Sequence, residues 1–301
     1  MSDPTVSVVI AAYNCAAFLR DAVESVRRQT YEDYEVVIVD DGSTDDTWEA
    51  IEELAGSWGK VRPFRADHGG TPVNKNRGIA RARGEWIALL DADDLWLPTK
   101  LERCMGFLAE NARLSIVYTP MSAVRMDDGT VMEGHSKACR AGWITEEIFH
   151  SIFVHDPAVV FHRRVVDECG GFDEQIPVGS GHEFWLRVST KFEFGLIDEP
   201  LAQRRWRPDS LTRSHRSGGR VLKADMLERF FFERGGRDLL ERRPAMRRLG
   251  RVRYRAGKIL LKEGRCREAR RSLGRAIRYD PANLKAYPFY LASCAGALFG
   301  R

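Results

Sequence analysis

The sequence predicts an α/β protein, with a doubly wound parallel sheet over roughly residues 5–215 and an α-helical extension after it. Three observations carry that expectation. Apolar runs without alternation, each followed by a segment of helical period, recur between Thr5 and Asp91. The run Trp86-Ile87-Ala88-Leu89-Leu90 stops at Asp91, Asp93 and Asp94, as a buried strand does when it delivers charge to the carboxyl edge of a sheet. From about Gly218 onward Leu, Ala, Arg and Glu dominate and strand signals cease.

Taken in order, Thr5 to Ile10 reads as a strand buried on both faces, and Phe18, Leu19, Val23 and Val26 mark the helix after it. A second strand, Tyr34 to Val39, runs into Asp40-Asp41-Gly42-Ser43-Thr44-Asp45-Asp46. There Gly42 permits a tight turn, and Ser43 to Asp45 can cap a helix starting near Thr47. A short strand over 61–65, a Gly69-Gly70 turn and a helix over 72–82 lead to the strand that ends at Asp91. Beyond Asp94 the pattern predicts a helix over 98–111, a strand over 115–119 and a hairpin turning at Asp127-Asp128-Gly129. A short helix after Gly142, a strand over 158–162, a helix over 182–190 and a strand over 192–197 precede the Arg-rich run 203–207.

The net charge of +4 conceals a division. Residues 1–200 carry 20 Lys/Arg against 34 Asp/Glu, whereas residues 201–301 carry 27 against 9. An acidic body with a basic tail suggests that the tail meets phosphates, an anionic membrane surface or an acidic partner; the competing reading is a solvated, arginine-rich helical face. The six cysteines are scattered without a C-x-x-C pair, which argues for reduced structural thiols in a cytosolic protein. No signal-peptide pattern opens the chain, and no apolar run is long enough to span a bilayer. A cytoplasmic protein, at most peripheral on a membrane, is the expectation.

Four stretches resemble family 2 glycosyltransferases, which have the GT-A fold, a Rossmann-like doubly wound mixed sheet. They are Ser7 to Asn14, Val39 to Asp45, Asn76-Arg77-Gly78-Ile79 through Gly84, and Leu90-Asp91-Ala92-Asp93-Asp94. Arg163 through Gly170-Gly171-Phe172-Asp173-Glu174 fits the later part of the family pattern. One such motif is weak, whereas the ordered set is specific. The implied arrangement is a glycosyltransferase domain over 1–217, with a nucleotide-sugar half to about 95 and an acceptor half from 96, then a basic helical region over 218–301. Within that region, Leu260 to Asn283 resembles one tetratricopeptide repeat.

The resemblance implies a nucleotide-sugar donor, with a UDP-sugar favoured, and a saccharide or lipid-linked acceptor. Tyr13 would border the base, Ala11 would give a backbone contact, and Asp40, Asp41 and Ser43 would serve base and ribose. Lys75 stands where the family has Arg, beside Asn76; it attracts phosphate but lacks the bidentate fork. Asp93 would bind a divalent ion, Mn²⁺ or Mg²⁺, that bridges the diphosphate, and Asp91 would face ribose or a metal-bound water. One of Arg204, Arg205 and Arg207 would hold the leaving group, with Arg205 our choice.

The chain departs from its family at the base. Aligning Phe184-Trp185-Leu186-Arg187 puts Ser180 and Gly181 where the family has a Glu-Asp pair, and neither can accept a proton. His182 suits neutral pH, Glu183 matches the next acidic position, and Asp156 is a third candidate. The leading expectation is a metal-dependent inverting glycosyltransferase of cell-surface polysaccharide or glycan synthesis. The alternative is a nucleotide-sugar-binding pseudoenzyme or assembly module without the base. A nicotinamide dehydrogenase is disfavoured, because no G-x-G-x-x-G follows the first strand, and nucleic acid is not an expected partner.

Overall fold

Every residue of β2 (Tyr34–Asp40) is buried, as are all but one of β1 (Val6–Ala12) and the interior of β4 (Trp86–Asp91). Strands without a polar face must be covered on both sides, and the computed structural model, which describes residues 3–125, 130–132, 139–206 and 216–299, shows them so. The principal sheet has seven strands in the order β10-β6-β9-β4-β1-β2-β3, where β3 is Val61–Arg65, β6 Ile116–Tyr118, β9 Val159–His162 and β10 Gly195–Leu196. β1 to β4 are mutually parallel, while β9 runs antiparallel to both β4 and β6. The sheet is therefore mixed.

Helices α1 (Ala16–Arg27), α2 (Thr47–Ser57) and α3 (Thr71–Arg81) are the crossovers between the parallel strands. The apolar stripe of α1, with Leu19, Ala22, Val23 and Val26, is wholly buried. Gly78 lets α3 approach the sheet, since a Cβ there would lie 2.3 Å from Val9 Cγ1. Asp45 rather than Ser43 serves the helix starts, accepting from the Thr47 N–H at 3.1 Å and from the Ala16 N–H at 3.3 Å.

A second sheet of four strands has the order β5-β11-β7-β8, with β5 Asp94–Trp96, β7 Met121–Arg125, β8 Val131–Met132 and β11 Ala202–Trp206. The arms of the expected hairpin pair as β7 and β8, and the turn itself lies outside the described residues. Helices α4 (Lys100–Glu110), α5 (Thr145–His150), α6 (Arg164–Cys169) and α7 (Ser180–Val188) complete this unit. Two expectations shift. α7 begins two residues before His182, because Gly179 (φ 88) turns the chain into it, and the strand expected over 192–197 shrinks to an edge pair on β6.

The chain divides into two compact units, Met1–Arg207 and Pro208–Arg301. The second unit is helical throughout its described residues, with helices Arg216–Glu233, Gly236–Leu239, Arg242–Lys262, Cys266–Tyr279 and Ala286–Phe299. Leu260, Ala269 and Leu273 form one buried cluster within it, and Leu227, Phe230, Leu249 and Ala256 are buried as well. Among the described residues, no helix is long and apolar enough to cross a membrane.

Candidate functional site

The strand order reverses between β1 and β4, so a crevice opens at their carboxyl ends, where doubly wound sheets bind ligands. Register places half-buried Ala11 beside Asp91 and Ala12 beside Asp40. With strands about 4.8 Å apart, the two acids flank β1 at a separation of roughly 10 Å.

Tyr13 stands at this edge, 44% exposed, with its ring centroid 4.3 Å from that of His68. His68 joins the site through the fold, since its spacing in the sequence suggests no role. Asn14 adopts φ 45, a conformation Asn tolerates, and its Oδ1 accepts from the Thr44 N–H at 2.9 Å. Its own N–H donates to Ser43 Oγ at 3.0 Å. The ends of β1 and β2 are thereby laced together beneath Tyr13.

Asp40 and Asp41 both turn inward. Asp40 is fully buried and accepts from the N–H and hydroxyl of Ser43, with Arg65 Nε at 3.4 Å. Asp41 accepts from the Gly69 and Gly70 N–H groups, each at 2.8 Å, and holds His68 Nδ1 at 3.0 Å. Tight turns at a buried strand end leave amides that must find acceptors, and these carboxylates supply them. Asp40, Asp41 and Ser43, which the motif assigns to base and ribose, also build the pocket wall. Asn76, which the family pattern counts with the donor-binding residues, also has partners within the chain. Its Nδ2 donates to the Phe172 carbonyl and to Glu174, both at 2.9 Å, and its Oδ1 accepts from the Phe172 N–H at 2.8 Å. It clasps α3 to the Gly171-Phe172 loop.

At the centre of the edge lies Lys75, 4% exposed. Its Nζ is 2.8 Å from Asp91 Oδ1 and 2.6 Å from Asp156 Oδ2. Burial favours the neutral amine, but the carboxylates of Asp156 and Asp91 outweigh it and hold the ammonium above the usual lysine range. Neither a solvated helix charge nor an open phosphate ligand describes this lysine; it joins two acids from distant parts of the chain. Asp156 is held from further sides. Its Oδ1 accepts from Trp185 Nε1 at 2.7 Å, and the next residue's carbonyl, on Pro157, accepts from Trp96 Nε1 at 2.7 Å. Neighbouring His155 is pushed down to about 4 by burial and by Arg204, so it is neutral at pH 7.

α7 settles against Asp156 where the family's base pair is missing. A Cβ on Gly181 would lie 2.6 Å from Asp156 Oδ1, so the absent side chain leaves room for a carboxylate from another element. The two leading base candidates are placed otherwise. His182 is 3% exposed, and its Nε2 lies 2.8 Å from the Ile148 carbonyl, to which it must donate. Glu183 is 4% exposed and bound by both its oxygens to Arg187 at 2.9 Å. Arg187 also donates to the Gly171 carbonyl at 2.8 Å. Both side chains fasten α7 to its neighbours, because an amphipathic helix starting at Ser180 turns them toward the interior.

Asp93 and Asp94 follow β4. Asp94 is 4% exposed, and burial together with the Asp91 and Asp93 charges raises its pKa well above the ordinary carboxylate value. Arg205, 6% exposed, donates to the Asp93 carbonyl and the Phe18 carbonyl at 2.7 Å each, and pairs with Asp21 at 2.9 Å. It therefore clamps the Asp93 turn where it was expected to hold a leaving group. On a strand, alternate side chains face opposite ways, and Arg204 is the exposed one, within electrostatic range of Asp94 and His155. Arg207 lies outside the described residues.

The donor set at this turn fits a hard divalent cation. Three carboxylates crowd the strand end, and burial together with the Asp91 and Asp93 charges raises the pKa of Asp94 although Arg204 and the Arg205 N–H partly offset them. Among the described residues no three His, Cys, Asp or Glu converge into a cage. Asp91 and Asp93 offer carboxylate oxygens, the ligand type that a hard divalent ion takes together with a ligand's phosphates.

A mixed sheet with a carboxylate-bearing strand end at its switch point, and a small second sheet beside it, defines the GT-A class of protein. The chain belongs to glycosyl transferase family 2, whose model matches residues 7–169. It is 32% identical to the chondroitin synthase of Pasteurella multocida over 193 residues, 64% of this chain and 19% of that protein. An uncharacterised glycosyltransferase of Rickettsia bellii is 30% identical over 70% of this chain and 30% of its own length. The chain thus spans a third or less of the length of these relatives. Among solved structures, S. aureus TarS 1-349 in complex with UDP-GlcNAc superposes with TM-score 0.69 at 17% identity, over 91% of this chain and 81% of that one. The mannosyltransferase PcManGT from Pyrobaculum calidifontis, in complex with GDP-Man and Mn²⁺, gives 0.62 at 18%, over 99% and 82%.

Proposed function

We propose that the protein transfers a sugar, with inversion, from a nucleotide-sugar donor to a saccharide or lipid-linked acceptor, and that Asp156 is its catalytic base. The single observation carrying this reading is the Asp91–Lys75–Asp156 bridge at the switch-point edge, with Asp156 filling the room left by Gly181. UDP-sugars are the favoured donors, supported by the UDP-GlcNAc and UDP complexes of a similar fold. Similarity to chondroitin and hyaluronan synthases favours a role in polysaccharide synthesis. The unpaired cysteines suit a reducing compartment, hence a cytoplasmic location, with the basic helices able to meet an anionic membrane.

In this reading the nucleoside lies against Tyr13 and His68, and the diphosphate lies over Ala92 and Asp93. Asp93, with Asp91 beside it, would hold a divalent ion, which would supply positive charge to neutralise the negative charge gathering on the departing diphosphate. Arg205 keeps the Asp93 turn in place for it. The acceptor hydroxyl oxygen bonds to the anomeric carbon, the carbon–oxygen bond to phosphate breaks, and its electron pair leaves with the nucleoside diphosphate. The hydroxyl proton passes to Asp156. Lys75 and Trp185 orient that carboxylate, and its remaining lone pairs stay available to accept.

The test is nucleoside diphosphate release from a panel of UDP-, GDP- and dTDP-sugars, with and without Mn²⁺, plus candidate acceptors. We expect metal-dependent release from one donor that is lost in Asp93→Ala. Asp156→Asn should keep donor binding and lose about 10²- to 10⁴-fold in kcat. Transfer unaffected by Asp156→Asn would remove Asp156 from the role. Metal-dependent donor binding with no transfer to any acceptor would favour the second reading, a binding module, for which the Ser180-Gly181 replacement speaks.

A further inference from the structure

The helical unit holds an electrostatic arrangement that the transfer reaction does not use. Along the Arg242–Lys262 helix, Arg248, Arg251, Arg255, Lys258 and Lys262 recur at steps of three and four residues. That spacing puts them on one face, over a rise of about 21 Å. The Arg216–Glu233 helix adds two more cations. Lys223 lies within electrostatic range of Arg248 and Arg255, and Arg220 lines a cavity of about 390 Å³ together with Tyr254, Arg255, Lys258, Ile259 and Lys262.

The carboxylates of this region are engaged elsewhere. Arg253, on another face of the same helix, takes Asp225 at 2.7 Å and both oxygens of Glu228, and Arg275 takes Glu228 at 2.9 Å. Among the described residues, none of the seven cations forms an ion pair. The Nε of Arg248 is buried without a hydrogen-bond partner. Arg220, Arg251, Arg255, Lys258 and Lys262 are exposed, whereas Lys223 and Arg248 are half-buried. Here burial, reinforced by neighbouring guanidinium groups, pushes Lys223 down to about 8 and Arg248 to about 10. Arg220, Arg255, Lys258 and Lys262 bring like charges together around one concavity, and an anion is what would relieve them. Lys258 Nζ is also held 5.6 Å from the Tyr254 ring centre and 5.0 Å from that of Phe289, so part of the rim is already oriented.

We infer that this groove is a binding site for a phosphate-bearing anion of two or more charges, distinct from the donor site at the sheet edge. Arginine forks suit phosphate oxygens, and the concave lining with Tyr254 at its wall suits a discrete group over a flat charged surface. The same chemistry is offered by a soluble di- or polyphosphate and by a phospholipid headgroup.

The experiment uses the full chain and two probes. Calorimetric titration with inorganic tripolyphosphate tests the soluble source, and co-sedimentation with phosphatidylglycerol against phosphatidylcholine vesicles tests the lipid source. Both are run on wild type, on the exposed-site double variant Arg255→Gln/Lys258→Gln and on Asp93→Ala, with circular dichroism to check folding. We expect saturable binding that weakens at least about tenfold in the double variant, is unchanged in Asp93→Ala and declines with salt. Tripolyphosphate binding of that pattern assigns a soluble anion, and vesicle binding alone of that pattern assigns a headgroup. Binding of neither probe, or binding indifferent to Arg255→Gln/Lys258→Gln, would overturn the site. Loss in Asp93→Ala but not in the double variant would place the anion at the donor site and equally overturn it. The inference stands independently of whether transfer is observed.

Discussion

The Oδ1 of Asp156 lies 2.6 Å from the point where Gly181 would carry a Cβ, so a carboxylate from one element occupies space vacated by another. The pair behaves as a single position shared between residues far apart in sequence.

That sharing predicts a reciprocal exchange. Gly181→Ala alone forces the Asp156 carboxylate aside, costing about 1–3 kcal/mol and lowering transfer. Asp156→Ala abolishes most transfer, and adding Gly181→Asp to it restores part, because an acid in the first turn of α7 is well tolerated. Steady-state kcat for the three variants, with thermal unfolding alongside, checks the prediction; no recovery in the double variant would argue that position, not mere presence, of the carboxylate decides.

Lys75→Met leaves Asp91 and Asp156 facing each other without their cation. Removing one partner of a buried pair costs about 3–5 kcal/mol, and the lower end applies because Asp91 is 37% exposed. Urea unfolding reads the loss, and Lys75→Arg should recover only part of it, since the wider fork does not fit a single-point bridge.

Arg205→Lys should act on metal use rather than on folding alone. The guanidinium holds the Asp93 and Phe18 carbonyls simultaneously, and one ammonium cannot span both. The Mn²⁺ activation curve is expected to shift to higher concentration by about tenfold, with saturated kcat changed less. An unshifted activation curve would reduce Arg205 to a packing role.

Glu35 carries a pH signature remote from the site. Burial opposes its ionisation, yet the Arg83 N–H, Ser7, Arg62 and the Arg83 side chain together lower its pKa below the ordinary 4.5. A carboxylate depressed in the folded state contributes stability that is present above its unfolded pKa and lost as pH falls through the folded one. The stability gap between wild type and Glu35→Gln should therefore be constant above about pH 5 and close progressively below 4.5. Denaturant melts at several pH values measure it.

Much of this was legible from periodicity. Uninterrupted apolar runs located β1, β2 and β4, and the acids after Leu90 marked the ligand edge, because burial on both faces and charge at a strand end are properties of contiguous residues. The antiparallel insertion of β9 was not legible, since strand direction depends on which partners meet. Nor were the partners of polar side chains. The sequence showed neither that Asp40 and Asp41 accept from the turns beside them nor that His182 and Glu183 bond to the Ile148 carbonyl and Arg187. A side chain's hydrogen-bond partners come from elsewhere in the chain, and local pattern carries no record of them.

By itself, then, the sequence determined the strand and helix order, the carboxylates at the end of β4, the missing acid at Ser180-Gly181 and the division of charge between the two units. Tertiary structure alone decided that Lys75 joins Asp91 to Asp156, that Asp156 fills the gap at Gly181, and that Arg220 joins Arg255, Lys258 and Lys262 around one cavity of the helical unit. The physical reason is the same in each case: composition and period are local quantities, whereas an electrostatic environment is the sum over groups that only folding brings together.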